Sequence, residues 1–454
     1  MELTPIKKNI ELLRNAIQDG NDSFIAEALE NLHPADIAEF LDKMPFDDSE
    51  YILKVLSDEK AADSLMELDE ELRDKLIATF TSKEIAELVI ENIDSDDAAD
   101  VLAELPTKKK EEVISLLEDA EQASDIVDLL NYDYDTAGGL MAKELIMVQK
   151  DWHIPRAIRE MRKQAEELDE VYTIYVTNRN QQLVGTLSLK KLLFSNSLRS
   201  TIEDLFNESE LHVAKDTDKA EDVVKMMRKY DLVVLPVVDE NNVLLGRITI
   251  DDVLDVMHEE AEKDYQMASG ISEQVEEDDT VYRLTRARIP WLLIGLVGGI
   301  CVARVIGIYE EQLQINPKLA FFIPLIAAMG GNVGVQSSAI VVQGLANNTI
   351  NFLGILPRLS KELVVALVNA AILGSLILAY SLIFDADDPS LAYTVSISLA
   401  SVIVIAALFG TAIPLLLNRF KVDPALATGP FITTANDILG LIVYFVVARI
   451  MYGL

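Results

Sequence analysis

The 454-residue sequence predicts a multidomain protein: an all-α helical-repeat domain, an α/β pair of similar units, and an α-helical membrane domain of five transmembrane helices. Three observations predict this order. The first 135 residues carry apolar side chains three and four apart, as in "ADIAEFLDKMPFDDSEYILKVL" and "KEIAELVIENIDSDDAADVLAEL". The stretch after them alternates β-branched runs with helical ones and does so twice. The last third holds five successive apolar runs, each near the roughly 20 residues needed to cross a bilayer.

Each helix of residues 1–135 is too short to bury its apolar face alone, so the domain is expected to be a stack in which each unit covers the next. The pattern changes at "DTAGGLMAKELIMV", residues 135–148. Beyond it, residues 169–194 and 230–257 each read as two short strands around an Asn-containing turn, then Gly, then a further strand and a helix. "LPVVDENNVLLGRITIDDV" in the second unit resembles a CBS domain, and the first unit is similar, so 136–199 and 200–262 are expected to form a CBS-domain pair. The resemblance implies an adenine-nucleotide cleft of the kind that takes ATP, with Thr249 and Asp252 on the ribose. Ser188 and Lys191 stand at the matching places of the first unit, which lacks the carboxylate. A CBS pair that serves only for dimerisation is the alternative. The run 250–270 reads as one acidic helix, and residues 263–287 are expected to form a connecting, plug-like helix between the cytoplasmic part and the membrane domain, 288–454.

The five runs are 289–309, 319–345, 363–384, 392–417 and 425–451. One such run would be consistent with a buried core helix; five in succession are not. Charge separates the two halves. Residues 286–454 hold nine basic and eight acidic side chains, which leaves 30 and 67 for residues 1–285, a net of −37. So acidic a surface repels nucleic acid and anionic headgroups and attracts cations. No apolar leader opens the sequence, and Arg283, Arg286, Arg288, Arg358, Lys361, Arg419 and Lys421 flank alternate ends of the runs. A multi-pass protein of the cytoplasmic membrane is expected, with the N-terminus in the cytoplasm, the C-terminus outside and membrane lipid around it. The single cysteine, Cys301, excludes a disulfide framework within the chain. The four histidines are not paired at helical spacing, which argues against a zinc site. No phosphate loop, nucleophile elbow or zinc motif points to an enzyme.

The fifth run carries a carboxylate, Asp437, near its middle. An ionised side chain at that depth costs roughly 2.5–3.5 kcal/mol on insertion scales, and such residues face a pathway rather than lipid. Gly429, Thr433, Asp437, Gly440 and Tyr444 share one stripe of that helix, with Asn436 beside it. The second run is also unusual: "GGNVGVQSS" places Gly330, Gly331, Asn332, Gly334 and Gln336 within the bilayer. Irregular backbone there, with carbonyls exposed to a water-filled pore, is the expectation. Gly295 and Gly299 of the first run match a small-xxx-small motif and are expected to serve helix packing. Oxygen donors without nearby Cys or His suit a hard cation, and Mg²⁺, which keeps most of its waters, fits a wide site with few direct ligands.

Taken together, the order of domains and the motifs "DYDTAGG", "AGGLM", "GGNVG-QSS" and "VDPAL…DILGL" resemble the MgtE-type magnesium channels and transporters along the whole chain. The resemblance implies a homodimer with a Mg²⁺-selective pore on its axis, at which Asp437 is the pore carboxylate. It also implies cytoplasmic Mg²⁺ sites that close the pore. These would be Asp96 and Asp100 in the first domain, and Asp218, Glu221 and Asp231 in the second CBS unit. Asp252, Asp255, Glu260 and Asp264 would follow on the connecting helix, and Asp423 before the fifth run. Two departures stand out: Lys263 occupies a place that is acidic in the family pattern, and Val335 one that is polar. An ion-coupled secondary transporter is the alternative, although such folds often carry inverted repeats that five runs with one central carboxylate lack. A membrane-anchored nucleotide sensor is a third reading, and it would need neither Asp437 nor the glycines.

Overall fold

A computed structural model describes residues 6–165, 168, 171–194, 200–206, 211–276, 279–346, 355–384, 388–427 and 429–453. The proposed boundary at 199/200 borders residues outside that set, and so does part of the acidic loop 385–390. The chain forms two compact units, residues 1–257 and 258–454.

In the first unit, ten short α-helices from Ile6–Gln18 to Ala120–Leu129 make up the N-terminal domain. Their ends are fixed locally. His33 accepts from Ala35 N ahead of Pro34, and Thr81 and Glu84 form a reciprocal capping box. Their apolar faces meet in one core with Leu13, Leu41, Ile85 and Leu102, and that core continues without a break into Val223, Leu235, Ile248 and Val253 of the second CBS unit. The motif 133–141 makes the join. Gly138 leaves room for the Tyr132 ring, where a Cβ would collide, and the amides of Ala137 and Gly138 donate to the carbonyls of Asp218 and Asp216. Residues 136–142, assigned by sequence to the first CBS unit, therefore lie on the second, with bridges Thr136–Lys219 and Ala142–Arg247.

The two CBS units repeat one topology. Met147–Gln149 runs parallel to Ile174–Thr177, which pairs antiparallel with Leu183–Leu187. Ala214–Lys215, Val234–Val238 and Leu244–Thr249 do the same. Both hairpins carry a register shift at the matching place, 176/177 and 237/238, and both turns hold a residue of positive φ, Gln181 and Asn242. The turns grip each other: Leu183 N donates to Asn242 O, Leu244 N to Gln181 O, and the Asn242 amide to Leu183 O at 2.8 Å. The first unit has its own core around Ile146, Val148, Ile154 and Ile174.

The helix Ile250–Ala268 carries the chain into the second unit. The connecting segment 263–287 is not one helix. It breaks after Ala268, and residues 281–287 already belong to the first membrane helix, Val281–Ile308. Gly270, at φ +82°, ends the connecting helix, and Gln266 holds the following loop by two bonds to the Val275 backbone, at 2.8 and 3.0 Å. The remaining helices are Leu319–Ala346, Ile355–Phe384, Pro389–Arg419 and Gly429–Tyr452. All five are long and apolar enough to span a membrane. They overrun the apolar runs because polar flanking turns continue the helix beyond the hydrocarbon-length stretch. The fourth buries the most side chains and forms the centre of the core, with Val395, Val402 and Ile403 against Ile326, Leu441 and Phe445.

Asn242→Ala removes a side-chain bond between the two hairpins and forces a Cβ without hydrogen-bonding capacity into a left-handed conformation. It should cost about 1–2 kcal/mol in chemical unfolding of the full chain, with Asn242→Gly closer to wild type.

Candidate functional site: a carboxylate in the membrane helices and an acidic cluster outside them

In the membrane unit the second and fifth helices pack backbone to backbone. A Cβ at Gly331 would stand 3.1 Å from Thr433 Cγ2 and 3.7 Å from Asp437 Oδ1, and one at Gly330 would stand 3.1 Å from Val402. At Gly334 it would overlap the Asn436 amide, and at Gly410 it would overlap the Gly334 carbonyl. The glycines thus form a groove that receives the fifth helix and brings Asp437 against Gly331. The expectation of irregular backbone is corrected: residues 319–346 are one continuous α-helix, and Gly330, Gly331 and Gly334 are buried packing positions. Regular helix wins because glycine lowers the distance of approach without requiring any break in the hydrogen-bond ladder. Asn332 and Gln336, one turn apart, are the exposed members of that set. Asp437 is half-buried, Thr433 donates to Gly429 O at 3.0 Å, and Asn436 is 1% exposed. Neither polar atom of the Asn436 amide has a hydrogen-bond partner among the described residues.

The first helix packs on the fifth through Gly298, which makes room for the Thr434 methyl. A Cβ at Gly295 or Gly299, the positions expected to do this, would meet nothing within 4 Å among the described residues. At the other end of the fifth helix, Gly429 (φ +54°) admits the Ala268 carbonyl to within 2.5 Å of where a Cβ would be. Gly270 does the same for the Pro430 ring at 2.7 Å. The end of the connecting helix therefore bears directly on the start of the helix that carries Asp437. Asp423 accepts from Ala425 N and caps the turn between the fourth and fifth helices.

In the first unit a second constellation forms where the N-terminal domain meets the second CBS unit. The helix Ser95–Glu104 begins there, and Glu144 accepts from Ser95 N and Oγ at 3.2 and 2.8 Å. Oxygens of Asp94, Asp96 and Glu144 lie within 4.8 Å of one another. Asp252 joins them electrostatically. Burial first, and then the charge of Asp252, pushes the Asp96 carboxyl well above its ordinary range. The same two causes, with Asp100 next, raise Asp97 to about 7. Asp252 is itself raised by burial, partly offset by bonds from Thr249 N and Oγ1 at 2.9 and 2.7 Å. Several carboxylates held this close, all oxygen donors, fit a hard divalent cation.

The structure thus brings together Asp96, Asp100 and Asp252 from the sequence reading and adds Asp94, Asp97 and Glu144. Thr249 and Asp252 bond to each other at the start of a helix, with Asp252 turned to the acidic cluster. The cleft between the CBS units is lined instead by Leu145, Val171, Tyr172, Tyr175, Val234 and Arg247, and at about 10 Å³ it has room for a single water. The other candidates have local partners. Asp218 accepts from Lys215 N, Glu221 pairs with Lys225 at 2.7 Å, and Asp231 ends its helix at φ 52°. Glu260 pairs with Lys263 at 2.8 Å, so the basic residue that departs from the family pattern neutralises a neighbouring carboxylate. Asp255 and Asp264 lie on the same helix, Ile250–Ala268.

Five membrane-length helices with a carboxylate lodged between two of them, joined to a CBS pair and an acidic helical domain, define a regulated cation transporter of the membrane. The chain matches the family description "Divalent cation transporter" over residues 323–447, "MgtE intracellular N domain" over 32–135 and the CBS domain over 137–196 and 202–259. It is 32% identical to the magnesium transporter MgtE of Bacillus subtilis over 95% of both chains. The identity to that of Thermus thermophilus is also 32%, over 97% of both. The chain belongs to the MgtE family. Among solved structures, the cytosolic domain of the Mg²⁺ channel MgtE in complex with ATP is 31% identical, with a TM-score of 0.50, covering 54% of this chain and 98% of that one. The soluble part of a magnesium transporter is 28% identical, with a TM-score of 0.51, covering 56% and 99%.

The raised carboxyls have a pH consequence. A group whose folded value lies above its unfolded 3.8 binds more protons when folded, so its contribution weakens as pH rises from there to about 7. In divalent-free buffer, hydrogen-exchange protection of Ser95–Glu104, corrected for intrinsic rate, should fall across that window. Asp97→Asn should flatten the profile.

Proposed function

We propose that this protein conducts Mg²⁺ into the cytoplasm and that cytoplasmic Mg²⁺ closes the path. The observation that carries the reading is Asp437, held half-buried against Gly331 among five apolar helices. A carboxylate there is costly unless it meets a cation, and a hydrated Mg²⁺ needs few direct ligands. The relatives named as magnesium transporters support the choice of ion. In a homodimer two copies of Asp437 would face one pore, with Asn332 and Gln336 on its wall and Thr433 and Asn436 beside the carboxylate.

Closure follows from charge. The N-terminal domain and the second CBS unit share an apolar core, yet Asp94, Asp96, Asp97, Asp100, Asp252 and Glu144 repel across it. Mg²⁺ between them relieves that repulsion and favours the packed state, a differential affinity that shifts the population. Asp218, Glu221, Asp231, Asp255, Glu260, Asp264 and Asp423 are proposed as further regulatory ligands. The joint of Ala268 and Gly270 with Gly429 and Pro430 would pass the change to the fifth helix. The CBS pair is proposed to take an adenine nucleotide, as the ATP complex of the related cytosolic domain suggests, and the cleft, at about 10 Å³, must open to admit it. The N-terminus lies in the cytoplasm in this reading, and no catalytic step is part of it.

Mg²⁺ uptake into proteoliposomes is the test. Asp437→Asn should abolish flux while the protein still elutes as an assembled species; near-normal flux in that variant would remove the pore assignment. Asp96→Asn with Asp252→Asn should leave the channel conducting at Mg²⁺ concentrations that close the wild type in electrical recordings.

A further inference from the structure

Asn436 precedes Asp437 in the chain and stands about 100° from it around the fifth helix. Its side chain is 1% exposed, and neither atom of its amide has a hydrogen-bond partner among the described residues. The amide nitrogen is pressed against Gly334, where a Cβ would overlap it, and the Asn436 carbonyl lies 3.5 Å from the place of a Cβ at Gly330. An amide unpaired among apolar helices is disfavoured against one that meets water or an ion, so a conformation that pairs it gains what this one forgoes. The two halves of the helix are also held differently. Toward its start Thr433 rests on Gly331, Thr434 on Gly298 and Asn436 on Gly334, and glycines offer no side chain to interlock with. Toward its end the Tyr444 hydroxyl donates to the Leu319 carbonyl at 2.9 Å, and Phe445 stacks on Tyr309 with 4.8 Å between ring centres. There Asn316 also donates to the Tyr452 hydroxyl at 2.9 Å. Gly440 lies between the two halves and lowers the resistance of the helix to twisting.

We propose that the fifth helix has a second seating, in which its inner half turns about Gly440 and carries the Asn436 amide out of the glycine groove to stand beside Asp437, where it sets the specificity of the path. This rests on the reading of Asp437 as the pore carboxylate. About half of the roughly 100° between the two residues places one on each side of a shared face. There the amide oxygen accepts from the waters that Mg²⁺ retains, while the carboxylate supplies charge. An ion with a looser or wider shell does not fit the same pair of acceptors. Packed helix interfaces are bistable rather than continuously deformable, so the groove and the path are the two ends of the amide's travel. In the closure proposed above Mg²⁺ favours the packed cytoplasmic state, which is the state described, so the buried amide belongs to the closed path.

Thiol accessibility in the full chain, reconstituted in proteoliposomes, tests this. In a Cys301→Ala background, Asn436→Cys should react with a cationic methanethiosulfonate about tenfold or more faster in chelator than in saturating Mg²⁺, each rate taken relative to Asn332→Cys, an exposed position of the second helix. An unchanged ratio would overturn the proposal. Asn436→Leu fills the groove without an amide and should hold the described conformation. Its Mg²⁺ flux at low cytoplasmic Mg²⁺ should fall about tenfold or more below wild type, and its ratio of Mg²⁺ to Ca²⁺ flux should fall as well. Asn436→Ser, which keeps an oxygen acceptor, should restore part of both. Wild-type flux and ratio in Asn436→Leu would sink the idea, and so would lower flux with an unchanged ratio, which marks a packing residue. If flux depends on Asp437 while the accessibility ratio stays flat, the second seating alone is removed. Flux indifferent to Asp437→Asn removes the pore reading on which it rests.

Discussion

Repulsion between carboxylates that the fold forces together is the interaction on which the first unit depends. Asp96, Asp97 and Asp252 are half-buried at a junction whose apolar side is continuous from Leu13 to Val256. The core draws the N-terminal domain onto the second CBS unit; the carboxylates push it away. Neither term alone would give a responsive structure. A junction held only by Leu, Ile and Val would stay shut at any ion concentration, and one built only of acids would not assemble. The helix Ser95–Glu104 sharpens the balance by pointing its N-terminal amides toward the same carboxylates, with Glu144 bonded to the first of them.

The membrane half depends on a different constraint, the distance between helix backbones. Gly330, Gly331, Gly334 and Gly410 let the second, fourth and fifth helices approach more closely than any side chain would permit. The result is a close seat for Asn436 and a defined position for Asp437 in this conformation. At the far end of the bundle, polar groups take over. Asn316 donates to Asp388 at 2.8 Å and to the Tyr452 hydroxyl at 2.9 Å, which ties three chain segments at one point.

Much of this was legible in the sequence, for physical reasons. Apolar length announces a membrane helix whatever its neighbours do, and a lone acid inside one, Asp437, announces itself by its cost. The repeated strand–turn–strand pattern of the CBS pair is local, so it could be read without knowing the fold. Long-range placement could not. Arg247 and Asp94 look like ordinary surface charges until strands and helices 153 residues apart come together. Glu144 gives no signal beyond a charge next to a motif, and Asp97 looks like its neighbours. The glycine cluster was visible but ambiguous, because a broken helix and a tightly packed one use the same residue. Thr249 and Asp252 had the spacing of a nucleotide motif, and that spacing is equally the spacing of a helix cap.

The joint between the connecting helix and the fifth membrane helix separates two kinds of property. At Ala268, Gly270, Gly429 and Pro430 the contact is made by main chain and a proline ring. The charges of the connecting helix, by contrast, reside in side chains that can be exchanged one at a time. Lys263 beside Glu260 is an instance. Such an exchange alters the charge of the helix and leaves the main-chain contact untouched. Divergence among relatives should therefore be broad among the acidic positions and narrow at the two glycines, where any added carbon would introduce play into the coupling.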